Sequence, residues 1–190
     1  MIFVRHGQST SNAVFYRTGR DPGIVDPELT EVGRHQAEFA AWRLSRLGVR
    51  RIITSPYKRA LQTAEIIAAR TGALVIVDPL VGERAIMPWE IGSPRAEIER
   101  RFPGVVLDHL PEFWWPQPEE SESKLYKRCV EFCKKAAKME GLQKTVIVTH
   151  WGFIRALTGA EVPNCTIVPF NAVGGGATTH QKQLAPPVLQ

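Results

Sequence analysis

Arg5, His6 and Gly7 follow directly on an apolar start, Met1 to Val4. Further on, Thr54, Ser55 and Pro56, with Arg59 just behind them, follow RRII; Glu83 lies in the loop after ALVIV; Thr149 and His150 close TVIVTH. Each apolar run is rich in β-branched residues and reads as a short strand. Two arginines, two histidines and a carboxylate therefore stand just beyond strand ends. In parallel strands those places share one sheet edge, where loops gather side chains over a single crevice. Arginine's planar fork holds two oxygens of one anion. A histidine unprotonated at one ring nitrogen can attack as a nucleophile, and a second can donate to the group being transferred. A carboxyl group can protonate the departing oxygen and then accept a proton from water, worth typically about 10²–10⁴ in rate. The set suits phosphoryl transfer through a histidine, because a phosphomonoester carries roughly two negative charges and its transfer depends on positioning and electrostatic stabilisation. On this scheme the cationic side chains do what a metal would, so neither metal nor cofactor is expected.

The elements that must position these residues alternate. Arg5-His6-Gly7 ends the first strand, and Gly7 allows a sharp turn into GlnSerThrSerAsn, whose side chains offer donors to an anion. After the loop RTGRDPGIVDP, Thr30 caps a helix in which Val32, Ala37, Ala40, Ala41, Leu44 and Leu47 keep an apolar stripe and Gly48 ends it. RRIITS is the second strand; PYKRALQTAEIIAARTG is a helix, with Pro56 in its first turn and Gly72 at its stop. ALVIV is the third strand, DPLVGERAIMPWEIGSP a loop, residues 119–139 a long helix, TVIVT a fourth strand, FIRAL the start of another helix, and NCTIVPF a last strand. Strands spaced by helices predict an α/β fold, a three-layer α/β/α sandwich with a mainly parallel central sheet. One domain is expected over residues 1–172, followed by a loose tail over residues 173–190, where glycines, prolines and polar residues lack periodicity.

Composition excludes several classes. With 190 residues, 44% of them hydrophobic and 23% charged, the chain can bury a core. Its apolar runs are too short to span a bilayer and no basic-then-apolar leader precedes the first strand, so it is read as cytoplasmic, without a membrane partner. The three cysteines include no CxxC, which argues against a disulfide framework and a zinc site. Cys129 and Cys133, four apart, share a helix face with Leu125 and read as core residues. The net charge of +5 allows nucleic acid or an acidic small molecule. Basic residues are interleaved with acidic ones, as in RAEIERRF, and form no stripe with aromatics, which argues against nucleic acid and for a small phosphorylated substrate.

RHGQS, DPELTEVGRHQA, SPYKRALQTAEIIA, the Glu83 loop and VTHWGFIRAL, in that order over about residues 2–170, resemble the phosphoglycerate mutase-like superfamily, also called the histidine phosphatases. The resemblance implies the α/β/α sandwich, a phosphohistidine intermediate and no metal. It implies His6 as nucleophile, Arg5, Arg59 and His150 as the phosphate pocket, Asn12 as a further phosphate contact and Glu83 as proton donor. Two departures stand out. Trp151 replaces a glycine that many relatives carry after the later histidine, and either narrows the pocket or packs beneath it. Glu90, seven residues after Glu83 in the same loop, is a competing acid, with a structural role beside Trp89 as its plainer reading.

His35, His109 and His180 have no supporting neighbours and receive no role. Trp114 and Trp115 are read either as a lid over the crevice or as packing between loop and helix. Arg17 and Arg20 are taken as surface residues, with a second anionic group of the substrate as the sharper reading. The expected function is a metal-independent phosphatase hydrolysing a small phosphomonoester through a phosphohistidine on His6. The first alternative is phosphoglycerate mutase-type transfer back to a second substrate hydroxyl, against which the chain lacks the long insertions of the dedicated mutases. The second is a phosphate-binding module without catalysis, for which an intact nucleophile and acid would have no use. Sugar phosphates, phosphoglycerates, nucleotides and phosphopeptides all stay open as substrates.

Overall fold

A computed structural model of the chain describes residues 1–87, 89–116 and 119–171. The strands are β1 (Ile2–Arg5), β2 (Arg51–Thr54), β3 (Leu74–Val77), β4 (Val105–Val106), β5 (Thr145–Thr149) and β6 (Ile167–Pro169), and the helices are α1 (Thr10–Thr18), α2 (Glu31–Leu44), α3 (Lys58–Thr71), α4 (Arg95–Arg101), α5 (Glu122–Ala136) and α6 (Trp151–Thr158). They form one sheet in the order β4-β3-β2-β5-β1-β6, parallel throughout except where β6 runs antiparallel to β1. The mainly parallel three-layer sandwich expected from the alternation is present. The expected tail over residues 173–190 lies outside the described residues.

Alternation along the strands builds two cores. Val4, Ile52, Val146 and Val148 face one way and meet Ala37, Ala40, Ala41 and Leu44 of α2 and Ala60, Ala64 and Ile67 of α3. Phe3, Ile53 and Ile147 face the other way and meet Leu125, Cys129 and Phe132 of α5 and Phe153 and Ile154 of α6. Both faces are covered, which is why the strands read as unbroken apolar runs. The small α2 and α3 side chains let those helices lie close to the sheet and to each other. Cys129 and Leu125 are buried and Cys133 partly so, as their spacing predicted.

Register brings the polar strand ends level. Arg5 pairs with Thr149, and Thr54 pairs with Val148 on one side and Val77 on the other. The ladder runs one residue further, with His6 N–H donating to Thr149 O at 2.9 Å and Ser55 N–H to Val148 O at 3.1 Å. His6, Ser55 and His150 therefore leave the sheet side by side.

Four local features differ from the sequence reading. The polar run after Gly7 opens a helix: Ser9 Oγ accepts from Asn12 N–H and Asn12 Oδ1 accepts from Ser9 N–H, both at 3.2 Å, a reciprocal cap that nucleates α1. Pro56 lies before the α3 cap, Tyr57, rather than inside the first turn. The segment after the Glu83 loop carries α4 and β4, whose Ile98 and Phe102 join Leu107, Leu110 and Trp114 in a third core under Tyr57 and Leu61. The long helix is confined to α5, because Ser121 Oγ caps it by accepting from Lys124 N–H and Glu119 adopts a left-handed φ of 64° before it.

Candidate active site

The segment after β1 has no room for side chains: a Cβ on Gly7 would collide with the carbonyl of Gly33, and one on Gly33 with that of Gln8. Two glycines thus let the strand end turn against the first turn of α2. The turn is pinned to α3, where Thr63 Oγ1 accepts from Gly7 N–H at 3.0 Å and donates to Arg59 O at 2.7 Å. His6, buried, holds Nδ1 at 2.7 Å from Gly7 O. A carbonyl only accepts, so Nδ1 carries the proton, and Nε2 is the lone pair that accepts from Arg59 Nε–H at 3.3 Å. Arg59 itself lies with its Cζ 4.6 Å from the centre of the Tyr57 ring. Arg5 donates through Nη1 to Val162 O at 2.7 Å and through Nη2 to Tyr16 Oη at 3.3 Å, while its Nε is buried with no hydrogen-bond partner among the described residues. Arg5, His6, Asn12, Arg59 and Glu83 line a polar recess of about 120 Å³. Arg5, Asn12 and Glu83 also line a neighbouring cleft of about 860 Å³.

Glu83 is held by backbone. Its Oε1 accepts from Arg84 N–H at 2.9 Å and from Gly152 N–H, in the first turn of α6, at 3.0 Å, so it uses a donor that the helix end leaves unsatisfied. A Cβ on Gly152 would press on Oε1. Arg128 of α5 clamps the loop from behind, donating to Leu80 O, Gly82 O and Glu83 O at 2.8, 2.9 and 3.2 Å, and Glu120 anchors Arg128 in turn with two carboxylate contacts at 3.0 and 2.7 Å. Glu90 also borders the recess, but its Oε2 accepts from the N–H groups of Ile86 and Met87 and closes the turn between them. Burial raises its pKa.

The histidine phosphatase superfamily (branch 1) family model matches residues 1–164. The chain belongs to that superfamily. A glucosyl-3-phosphoglycerate phosphatase of Mycobacterium tuberculosis is 30% identical over 194 residues, spanning 97% of this chain and 84% of the relative. Phosphoserine phosphatase 1 of Hydrogenobacter thermophilus is 33% identical over 162 residues, 83% of this chain and 73% of the relative. Among solved structures, a mycobacterial glucosyl-3-phosphoglycerate phosphatase complexed with VO3 superposes with a TM-score of 0.62 at 27% identity, covering 88% of each chain.

In this histidine phosphatase-fold chain, His150 stands behind the recess rather than in its wall. It is fully buried, its ring centre 5.0 Å from that of His6 and 5.3 Å from that of Tyr57. Its Nε2 is 2.7 Å from Ser55 Oγ, which also accepts from Tyr57 N–H at 3.4 Å. Its Nδ1 is buried with no hydrogen-bond partner among the described residues. Burial, then the Arg59 charge, hold both His6 and His150 well below the ordinary value of 6.5. The folded state thus binds fewer protons than the unfolded chain just below pH 6.5, and their contribution is intact above 6.5 and lost as pH falls toward the folded values. Stability measured by denaturant unfolding is expected to drop between pH 7.5 and 5.5, with both histidines contributing. A His150→Gln variant should show about half that slope; equal slopes would remove His150 from the account.

The expected site residues Arg5, His6, Arg59, Glu83 and His150 come together, and Asn12 joins them from α1. Residues given no role beforehand complete the frame. Asn164 donates through Nδ2 to His6 O at 3.0 Å and Asn12 Oδ1 at 3.2 Å, and accepts from Tyr16 Oη–H at 2.9 Å. Ser55, Thr63 and Arg128 act as described above. Of these only Ser55 stood at a strand end legible in sequence. Trp114 is packing: it is buried, donates to Ser93 O at 2.8 Å and meets the Tyr57 ring edge-on at 4.8 Å. Trp115 packs on it, with ring centres 5.7 Å apart. Trp151 lines the large cleft, whereas Arg17 and Arg20 line neither cavity. Among the described residues, no helix is long and apolar enough to cross a membrane.

Proposed function

We propose that the chain is a metal-independent phosphatase that hydrolyses a phosphomonoester through a phosphohistidine on His6. The carrying observation is the locked tautomer of His6: Nδ1–H bound to Gly7 O, and a neutral Nε2 at the polar recess beside two arginines. Arg59, Arg5 through its Nε and Asn12 through its amide would hold the phosphoryl oxygens, with His150 backing the recess behind His6. Nε2 attacks phosphorus, an N–P bond forms and the P–O bond to the alcohol breaks. The departing oxygen takes the proton of Glu83. In the second displacement water gives a proton to the Glu83 carboxylate and its oxygen bonds to phosphorus. The N–P electron pair then returns to Nε2, and inorganic phosphate leaves.

The names of the relatives support small phosphorylated molecules as the substrate class. A cytoplasmic setting suits the three free cysteines, two of them buried. The test is phosphate release from a panel of phosphomonoesters in excess EDTA, with isomer formation from 3-phosphoglycerate followed in parallel in the presence of a bisphosphorylated primer. Metal-independent release faster than isomerisation is expected. Isomer forming faster than phosphate would favour mutase chemistry, and binding of phosphate without turnover of any ester would favour the non-catalytic module.

A further inference from the structure

We propose that the alcohol portion of the substrate is bulky, apolar and uncharged, an aromatic alcohol rather than a carboxylated one. This rests on the phosphatase reading above. The cleft of about 860 Å³ adjoins the phosphate recess, sharing Arg5, Asn12 and Glu83, so a phosphoryl group at His6 leaves its ester oxygen facing the cleft. That volume is of the size that encloses a whole small ligand. Its wall is built from separate elements: Phe15 and Tyr16 on α1, Ile86 in the Glu83 loop, Leu125 and Tyr126 on α5 and Trp151 on α6. Phe15, Tyr16, Ile86 and Tyr126 are each about half exposed, between 48 and 56%. Large apolar groups gathered open around one concavity mark a binding surface, whereas scattered ones do not. Rings on two sides of a groove favour a planar apolar guest.

Charge points the same way. Among the described residues, the cleft outside the recess is bordered by two cations, Arg84 and Arg155. Arg84 donates to Glu120 O at 2.9 Å and to the Glu122 carboxylate at 3.2 Å; Arg155 pairs with Glu161 at 3.5 Å and covers the Trp151 ring, its Cζ 5.1 Å from the ring centre. Asp21, Glu90 and Glu122 border the same space. A carboxylate on the substrate would meet these acids and two arginines already engaged, so it would lose hydration without a matched partner.

The test compares 2-naphthylmethyl phosphate with 3-phosphoglycerate and phosphoserine in EDTA. All three release a primary alcohol, so leaving-group acidity does not decide the order. The kcat/KM for 2-naphthylmethyl phosphate is expected to exceed the other two by about tenfold or more, and Tyr126→Ala and Phe15→Ala, both at exposed positions, to shrink that ratio at least about threefold. A smaller preference, a preference for either carboxylated ester, or a ratio unmoved by both folded variants would overturn the inference and leave the phosphatase reading standing. Release from none of a broad panel by folded protein would instead overturn the phosphatase reading, and this inference with it.

Discussion

Replacing His6 with alanine is expected to lower phosphate release by on the order of 10⁴-fold or more, because the variant loses the nucleophile and with it the covalent route. The two arginines and His150 remain, so the residual rate reports what electrostatic stabilisation alone supplies to direct attack by water. The covalent intermediate gives an independent readout. Wild-type protein quenched during turnover of a ³²P-labelled ester should carry label that is released in acid and kept in base, as expected of a phosphorylated imidazole, and His6→Ala should carry none. Folding can be checked through phosphate binding, since Arg5, Arg59 and Asn12 stay in place. A His6→Ala rate within about tenfold of wild type would rule out the mechanism proposed for this site.

Glu83→Gln should be the next most damaging change, and its effect should depend on the leaving group. The amide oxygen can keep both backbone donors, Arg84 N–H and Gly152 N–H, so geometry is preserved while proton exchange is lost. A loss of about 10²–10⁴ in kcat/KM is expected on alkyl phosphates, whose alkoxide needs a proton as it departs. On 2,4-dinitrophenyl phosphate, whose phenolate leaves unaided, the loss should be far smaller. Glu90→Gln discriminates between the two candidate acids. Glu90 spends its carboxylate closing the turn at Ile86 and Met87, and the amide oxygen of Gln can accept from the same two N–H groups, so Glu90→Gln should leave both the fold and the dependence on leaving group unchanged. The opposite pattern, with the leaving-group effect in Glu90→Gln and none in Glu83→Gln, would move the acid to Glu90.

Sequence periodicity reached most of the fold because it depends on local spacing. The apolar runs, the Thr30 cap and the Gly48 and Gly72 stops all agree with the structure to within a few residues. What it missed follows from interactions with no local signature. The run GlnSerThrSerAsn reads equally as a polar turn or as a capped helix start, and the Ser9–Asn12 reciprocal cap decides for the helix. α4, only seven residues, carries too few apolar positions to show a period, and is held by Ile98 and Phe102 packing under Tyr57. The adjacent tryptophans look alike in sequence, yet the Ser93 carbonyl and the Tyr57 ring fix Trp114 in the third core.

The chain by itself determined which residue types stand at strand ends: Arg5 and His6, Arg59 one turn into a helix, Glu83 in the following loop and His150. A strand end is marked by the switch from apolar to polar residues, and parallel order then brings those ends to one edge. Tertiary structure alone decided protonation, posture and reach. The Gly7 carbonyl sets the His6 tautomer, Ser55 fixes the His150 ring through its Nε2, Arg128 and Gly152 hold Glu83, and α1, α5 and α6 together enclose the apolar cleft. These outcomes rest on contacts between groups far apart along the chain, whose distances are fixed only when the two cores pack against the sheet.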